Sequence, residues 1–332
     1  MRLPRVSVCL LTYRRAPVLP RTIDSLLGQT HCDFELIIND DCSPDGTEVV
    51  CREYARRDRR VRYFRNARNL RYAGNQNAAV LRATTDYVAF VHDGDLYRPE
   101  MLRRWTEALQ AYGNAALVFN AADQLDAAGR VVGIYRRDSY ADVTPGDRML
   151  DEMLATENSP IYGIVMLRRK RVLEAGPFDP RLPVMADVDM WMRLLLKNDV
   201  AYVAEPLYAI APREPGHHHS YDNWGIAQER ELILALNLRR RSDQLGIVLS
   251  HSARLSLLRR LWKMRLRQFA VCGYHRKYGA LRDGLAFTWR RPWPLDLSDI
   301  PDKVLTWEEC GVASLDDEQA LAIASAARSA VN

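Results

Sequence analysis

Two aspartates separated by one glycine, Asp93-Gly94-Asp95, follow directly on the run Asp86-Tyr87-Val88-Ala89-Phe90-Val91 and His92. The run is β-branched and aromatic, as a buried strand requires. Carboxylates two residues apart just past a strand end can be aimed at one point by a bent backbone. Hard divalent cations such as Mg²⁺ and Mn²⁺ take such oxygens, and keep positions open for substrate phosphates when the protein supplies only one or two carboxylates. Gly94 would allow the turn and a close approach by the ligand. The competing reading is a solvated turn, because Asp and Gly are the usual turn formers. A second acidic pair, Asp187 and Asp189, opens an amphipathic segment that runs to about Asn198. There it can cap and charge a helix start, and a carboxylate so placed can still project into a cleft. The adjacent His217, His218 and His219 lie in a turn-rich stretch, Arg213 to Ser220. At most one or two of them could bind one ion, and a surface loop is the alternative.

These groups need a frame. Val6–Leu11, Phe34–Ile38, Val61–Phe64 and Asp86–Val91 read as strands, and amphipathic or well-capped helical segments lie between them. Strands alternating with helices at this spacing predict a mostly parallel sheet wound by right-handed crossovers. Ligands bind such sheets beyond the carboxyl ends of the strands. The polar loops at 12–15, 39–45 and 92–98 each follow an apolar strand, so they should open on one edge. Residues 69–77 read as a polar loop entering a helix through Ala78. Pro99 starts the next helix, 117–119 is a strand, and Gln124–Tyr135 is a hairpin about its glycine. Residues 136–160 read as an irregular loop, 161–167 as strand, Arg169–Ala175 as a helix stopped by Gly176-Pro177, and 200–208 as strand. From about residue 226 the β pattern gives way to helix, with Leu255, Leu258, Leu261, Trp262, Leu266 and Phe269 on one side and basic residues elsewhere. Such a helix can pack its apolar face on the protein or on a second copy, or lie on an anionic membrane; packing is the commoner use.

Composition bounds the partners. With 332 residues, 48% hydrophobic and 27% charged, the chain is an ordinary globular protein of one main domain plus an appendage. A net charge of +5 is too mild to argue for nucleic acid. No run of about 18 apolar residues predicts a membrane span, and Met1–Thr12 lacks the features of a signal peptide. Six scattered cysteines without C-x-x-C spacing argue against zinc or a disulfide framework. The expected location is the cytoplasm, with peripheral contact at the inner membrane face as the variant.

In order along the chain, Val6–Arg15, Ile38-Asn39-Asp40-Asp41-Cys42-Ser43-Pro44-Asp45-Gly46-Thr47, His92–Asp95 with Pro99 behind it, and Ala186-Asp187-Val188-Asp189-Met190-Trp191-Met192-Arg193-Leu194 resemble four motifs of the family 2 glycosyltransferases. The resemblance spans roughly residues 5–222. It implies an inverting transferase with a GT-A fold, a Rossmann-like mostly parallel sheet flanked by helices, which moves a sugar from a nucleotide donor to an acceptor. The catalytic domain would be 1–225, with a nucleotide-binding half 1–98 and an acceptor half 99–225. A mainly helical region, 226–332, would follow.

By the same resemblance Thr12, Tyr13 and Arg14 would line the nucleotide, and Asp40 and Asp41 would meet its base and ribose side. Asp93 and Gly94 would approach the ribose or the metal shell. Asp95, with Asp93, would hold Mn²⁺ or Mg²⁺ against the diphosphate. Asp187 would be the general base, Asp189 and Trp191 would meet the acceptor, and His217 or His219 would complete the metal site. The chain departs from the pattern in three places. Gln76 stands where a cation is expected near the diphosphate, which leaves Arg71 or another arginine to substitute; Ala186 replaces an acid, and Cys42 a glycine. The implied partners are a nucleotide-sugar donor, UDP-sugar first, and a glycan, lipid-linked or small-molecule acceptor. The alternative is a non-catalytic GT-A-fold sugar-nucleotide-binding or assembly subunit. A nucleotidyltransferase ranks third, because Thr12–Pro20 offers neither Gly nor Lys for a phosphate loop.

Overall fold

The structure is a computed structural model that describes residues 5–156, 158–182, 184–212, 224–246, individual positions between 259 and 285, and 304–307 with 309 and 310. In chain order the elements are β1 (Val6–Thr12), α1 (Leu19–Leu27), β2 (Phe34–Asp40), α2 (Thr47–Arg57), β3 (Val61–Arg65), α3 (Arg71–Arg82), β4 (Tyr87–His92), β5 (Leu96–Tyr97) and α4 (Met101–Ala111). There follow β6 (Ala115–Leu125), β7 (Val131–Tyr135), β8 (Val143–Thr144), α5 (Gly146–Thr156), β9 (Val165–Arg168), α6 (Arg169–Ala175), α7 (Ala186–Leu195), β10 (Asp199–Ile210) and α8 (Trp224–Leu245).

The sheet runs β3-β2-β1-β4-β9-β6-β10-β5, with β7 beside β6 and β8 beside β10. From β3 to β4 all neighbours are parallel. Every residue of β1 and β2 is buried, which explains why both read as unbroken apolar runs. In register Thr12 lies beside Asp40 and Leu11 beside His92, so the three polar loops open on one edge as expected. Beyond β4 the sheet is mixed: β9 is antiparallel to β4 and β6, while β10 is parallel to β6. The main core gathers Val8, Leu10, Ile23, Leu36, Val91, Leu102, Trp105 and Met166. Trp105 is fully buried and donates its indole N–H to Asn120 Oδ1 at 2.9 Å.

Segments that differ from the sequence reading include Leu96–Tyr97, which forms β5 inside the expected polar loop, and 161–164, which is not strand. Residues 71–77 are already helical, so Asn75, Gln76 and Asn77 lie inside α3 rather than in a loop. Asn75 and Asn77 do not turn on their own backbone, as Asn tends to do in loops. The Asn75 amide donates to Asn39 O at 3.1 Å, and Asn77 bonds both the N–H and the carbonyl of Phe178. Within 136–160, Val143–Thr144 forms β8 and 146–156 forms α5. Gly146 starts that helix because a side chain there would collide with the backbone of Asn198 and Leu195.

By compactness the chain divides into two units. One comprises Met1–Asp151, Ser159–Arg213 and Val304–Asn332, the other Glu152–Asn158 and Glu214–Lys303. The first carries the sheet, and Trp307 in it donates to Leu173 O at 3.5 Å. In the second, the fully buried Arg265 forks onto Glu231 at 2.6 and 2.9 Å and its guanidinium lies 5.4 Å from the Trp262 ring centroid. Among the described residues no helix is long and apolar enough to cross a membrane.

Cys42, the residue standing in place of glycine, adopts φ 62°. That left-handed conformation is strained for a side chain and free for glycine. Cys42→Gly is therefore expected to hold or raise stability by up to about 1 kcal/mol, and Cys42→Val to cost about 1 kcal/mol or more, in denaturant titrations.

Candidate active site

The loop after β1 and the loop after β2 are stitched together. Asp41 N–H donates to Thr12 O at 2.9 Å, Arg14 N–H to Ser43 Oγ at 3.0 Å, and Arg15 N–H to Thr47 Oγ1 at 3.1 Å. Arg14 is held at φ 58° by this pairing. Asp40 is fully buried; its carboxylate accepts Ser43 N–H at 2.9 Å and the Tyr63 hydroxyl at 2.7 Å. Asp41 accepts Asn66 Nδ2 at 2.9 Å and Leu70 N–H at 2.7 Å, which caps the start of α3. Burial pushes the Asp41 carboxyl up from its ordinary pKa, against the pull of the Leu70 and Asn66 donors. Asp40 and Asp41 thus hold the loop after β2 in place. Tyr13 is 41% exposed, and the buried Thr12 hydroxyl has no protein hydrogen-bond partner.

The D-G-D turn is held by one hydroxyl. Thr22 Oγ1 accepts Gly94 N–H and donates to Asp95 O, each at 3.0 Å, and Gly94 takes φ 88°, which glycine adopts without strain. Tyr97 clamps the preceding residue through the N–H and the carbonyl of His92 at 2.7 and 2.8 Å. Asp93 Oδ1 pairs with Arg15 Nε at 3.2 Å, and the buried Asp95 accepts Ala211 N–H at 3.2 Å. Arg15 was not among the site residues expected from the sequence, although it closes the Val6–Arg15 motif in the same polar loop as Arg14. Two carboxylates flanking a glycine turn fit Mn²⁺ or Mg²⁺, which bind through one or two such groups plus substrate phosphates. Among the described residues no group of three His, Cys, Asp or Glu side chains could hold an ion. His217 and His219 lie outside the described residues.

The second acidic pair separates into two environments. The α7 cap residue is Met185 and no side chain caps it, so neither aspartate serves as the cap. Asp189 is buried and accepts Arg193 Nε at 2.8 Å, while Arg193 also donates to Ala175 O and Pro177 O at 2.5 and 2.8 Å. Trp191 is fully buried edge-on to Phe178, ring centroids 6.1 Å apart. Both residues therefore sit in the core and not at an acceptor surface. Asp187 stays half-buried, its Oδ1 2.8 Å from Val188 N.

The hydroxyl of Tyr72 lies 3.4 Å from His92 Nε2. Burial, then the Asp187 charge and its hydrogen bond, push the Tyr72 pKa well above the usual tyrosine range. Arg71, one residue earlier, is exposed at the start of α3 with φ 61°. Gln76 is fully buried, and neither amide atom has a protein hydrogen-bond partner.

The sheet, its loop-bearing edge and the two acidic clusters define a GT-A glycosyltransferase fold. Among solved structures the chain resembles S. aureus TarS 1–349 in complex with UDP-GlcNAc, with TM-score 0.57 and 18% identity over 87% of this chain and 92% of that one. It also resembles the mannosyltransferase PcManGT from Pyrobaculum calidifontis in complex with GDP-Man and Mn2+, with TM-score 0.53 and 15% identity over 95% and 88% of the two chains. The family model described as Glycosyl transferase family 2 matches residues 7–174, half of the chain. The chain belongs to that family and is a nucleotide-sugar-using glycosyltransferase. Similar relatives are the putative glycosyltransferase EpsE of Bacillus subtilis (strain 168), 29% identical over 211 residues covering 62% of this chain and 73% of EpsE, and the putative teichuronic acid biosynthesis glycosyltransferase TuaG of the same strain, 27% identical over 204 residues covering 60% and 75%.

Proposed function

We propose that this glycosyltransferase transfers a sugar, with inversion at the anomeric carbon, from a nucleoside diphosphate donor, UDP foremost, to a hydroxyl of a glycan, lipid-linked or small-molecule acceptor, with Asp187 as general base. The observation that carries the reading is the opening of the loops after β1, β2 and β4 on one sheet edge, the last of them bearing Asp93 and Asp95 about the Gly94 turn. The acceptor oxygen bonds to the anomeric carbon as the bond from that carbon to the β-phosphate oxygen breaks. The diphosphate leaves with the electron pair, and Asp187 takes the hydroxyl proton, for which it must lie within hydrogen-bond reach. Asp93 and Asp95 would hold Mn²⁺ or Mg²⁺, whose charge offsets that of the departing diphosphate. Tyr13 offers an exposed ring to the base, and Arg71 the cation that the buried Gln76 does not supply.

Calorimetric titration with UDP, GDP and dTDP, each with Mn²⁺ and with chelator, tests the donor site. Micromolar, metal-dependent binding of one nucleotide is expected; binding of none overturns the reading. Asp95→Ala should weaken the metal-dependent binding at least about 10-fold, and titrations identical to the parent's would remove Asp95 from the site.

The Arg15–Asp93 pair favours one second reading, a module that binds sugar nucleotides without turnover, since a guanidinium already engages one carboxylate of the turn. Such a module would hold the donor and release no free nucleotide from it. Packing of the C-terminal region, whose Leu255, Leu258 and Leu261 lie outside the described residues, on a second copy or on an anionic membrane is part of the same proposal; sedimentation and vesicle flotation separate the two.

A further inference from the structure

We propose that Tyr135 and Tyr162 form an aromatic shelf beside the Asp93-Gly94-Asp95 turn and that this shelf binds a pyranose ring of a glycan acceptor. The inference rests on the reading of that turn as the donor site, and it narrows the acceptor to a carbohydrate. No motif contributed either tyrosine. What marks them is two large rings left partly in water next to a turn that carries carboxylates.

The rings stand edge-on at 64° with 6.0 Å between centroids, and each residue is 44% exposed. They come from segments far apart in the chain, the end of β7 and the stretch just before β9. β9 runs antiparallel to β4, with Phe90 opposite Val165. The stretch before β9 stays beside β4 beyond that pair, since a Cβ on Gly163 would lie 2.7 Å from His92 Nε2. Tyr162 and Asp93 each adjoin one member of this contact, so the shelf begins where the turn does. Tyr135 is tied to the same turn by another route. It pairs with Ala122 of β6, and Ala122 with Tyr208 of β10, in one row across the sheet. β10 runs to Ile210, and the next N–H, of Ala211, donates to the Asp95 carboxylate.

The surroundings suit a sugar. In sheet order β1 and β2 lie on one side of β4, and β9, β6 and β7 on the other. With the nucleotide on the loops after β1 and β2, an acceptor reaches the turn from the side that the shelf occupies. Gln124 pairs with Gly133, two residues from the Ala122–Tyr135 pair on both strands, so it shares a face with Tyr135. Its exposed side chain lies across the glycine, where a Cβ would come within 3.2 Å of Oε1. A pyranose presents C–H bonds on its flat faces and hydroxyls around its rim. An aromatic face takes the C–H bonds out of water, and a neighbouring amide can bond a hydroxyl as donor or acceptor. Val131, Val132 and Ile134 of the same hairpin are exposed as well, so a lipid surface is the occupant that the test must separate.

Saturation-transfer NMR on the full chain tests the shelf. Aromatic protons are excited, and trisaccharides of glucose, N-acetylglucosamine, galactose and mannose serve as probes at millimolar concentration, with and without UDP and Mg²⁺. Transfer to the C–H protons of at least one probe is expected. Tyr135→Ala and Tyr162→Ala should each weaken its affinity about 10-fold with the melting temperature kept. Tyr135→Leu, which keeps apolar area without a flat face, should lose as much, and Tyr135→Phe should retain the signal. A signal that survives both alanine variants, or that reaches none of the probes, overturns the shelf. Flotation with phosphatidylcholine and phosphatidylglycerol vesicles that falls in Tyr135→Ala, without any saccharide signal, assigns the surface to lipid and overturns it too. The nucleotide titration keeps the two readings apart. Nucleotide binding without saccharide contact removes the shelf and leaves the donor site standing; saccharide contact without nucleotide binding does the reverse.

Discussion

Asp187→Asn is expected to lower the rate of transfer by about 100- to 10,000-fold, the range that a general base supplies, while nucleotide affinity and melting temperature stay at the parental values. The side chain is half-buried at the start of α7, with its charge beside Tyr72. An amide of the same shape keeps the packing but takes no proton from an acceptor. Steady-state kinetics beside a nucleotide titration check this. Transfer at the parental rate would remove Asp187 from the mechanism, and a parallel collapse of nucleotide binding would recast it as part of the donor site.

Two residues further along, the same residue type should give the opposite result. Asp189→Ala is expected to cost about 3–5 kcal/mol of folding free energy, a large share of the 5–15 kcal/mol typical of a native protein. Its carboxylate and the Arg193 guanidinium have side-chain exposures of only 1% and 4%. Removing the acid leaves a cation in the core with two backbone carbonyls, of Ala175 and Pro177, as partners. Replacing both charges with apolar residues of similar volume, Asp189→Leu with Arg193→Met, should recover most of the loss, because no lone charge then remains buried. Denaturant titration reads both variants. A loss below about 1 kcal/mol for Asp189→Ala would mean that water reaches the guanidinium, and the pair would then belong with ordinary surface bridges.

Much of the frame was legible before any coordinates. β1, β2 and β4 are strands buried on both faces, and such strands show themselves as unbroken apolar runs whatever their neighbours are. The loop edge followed from their alternation with helices, and Gly94 marked a position where the backbone does turn left-handed. The start of α3 was harder to read. Asn-rich sequence favours a loop when Asn bonds its own backbone, and here the side chains of Asn75 and Asn77 bond residues distant in the chain while Asp41 caps the helix from another loop.

The sequence by itself determined the alternating frame, the edge where its loops gather and the supply of carboxylates there. Only the tertiary structure decided how those carboxylates divide their work. Asp187 and Asp189 look alike in sequence, but residues two apart on a helix point about 200° from one another. One direction leaves the side chain half-buried, and the other meets a buried guanidinium. Likewise Arg14 and Arg15 are adjacent and chemically identical, but Arg15 alone of the two pairs with Asp93 among the described contacts. Residue type sets what a side chain can bond; which partner it reaches, and whether water reaches it too, is set by packing between segments far apart in the chain.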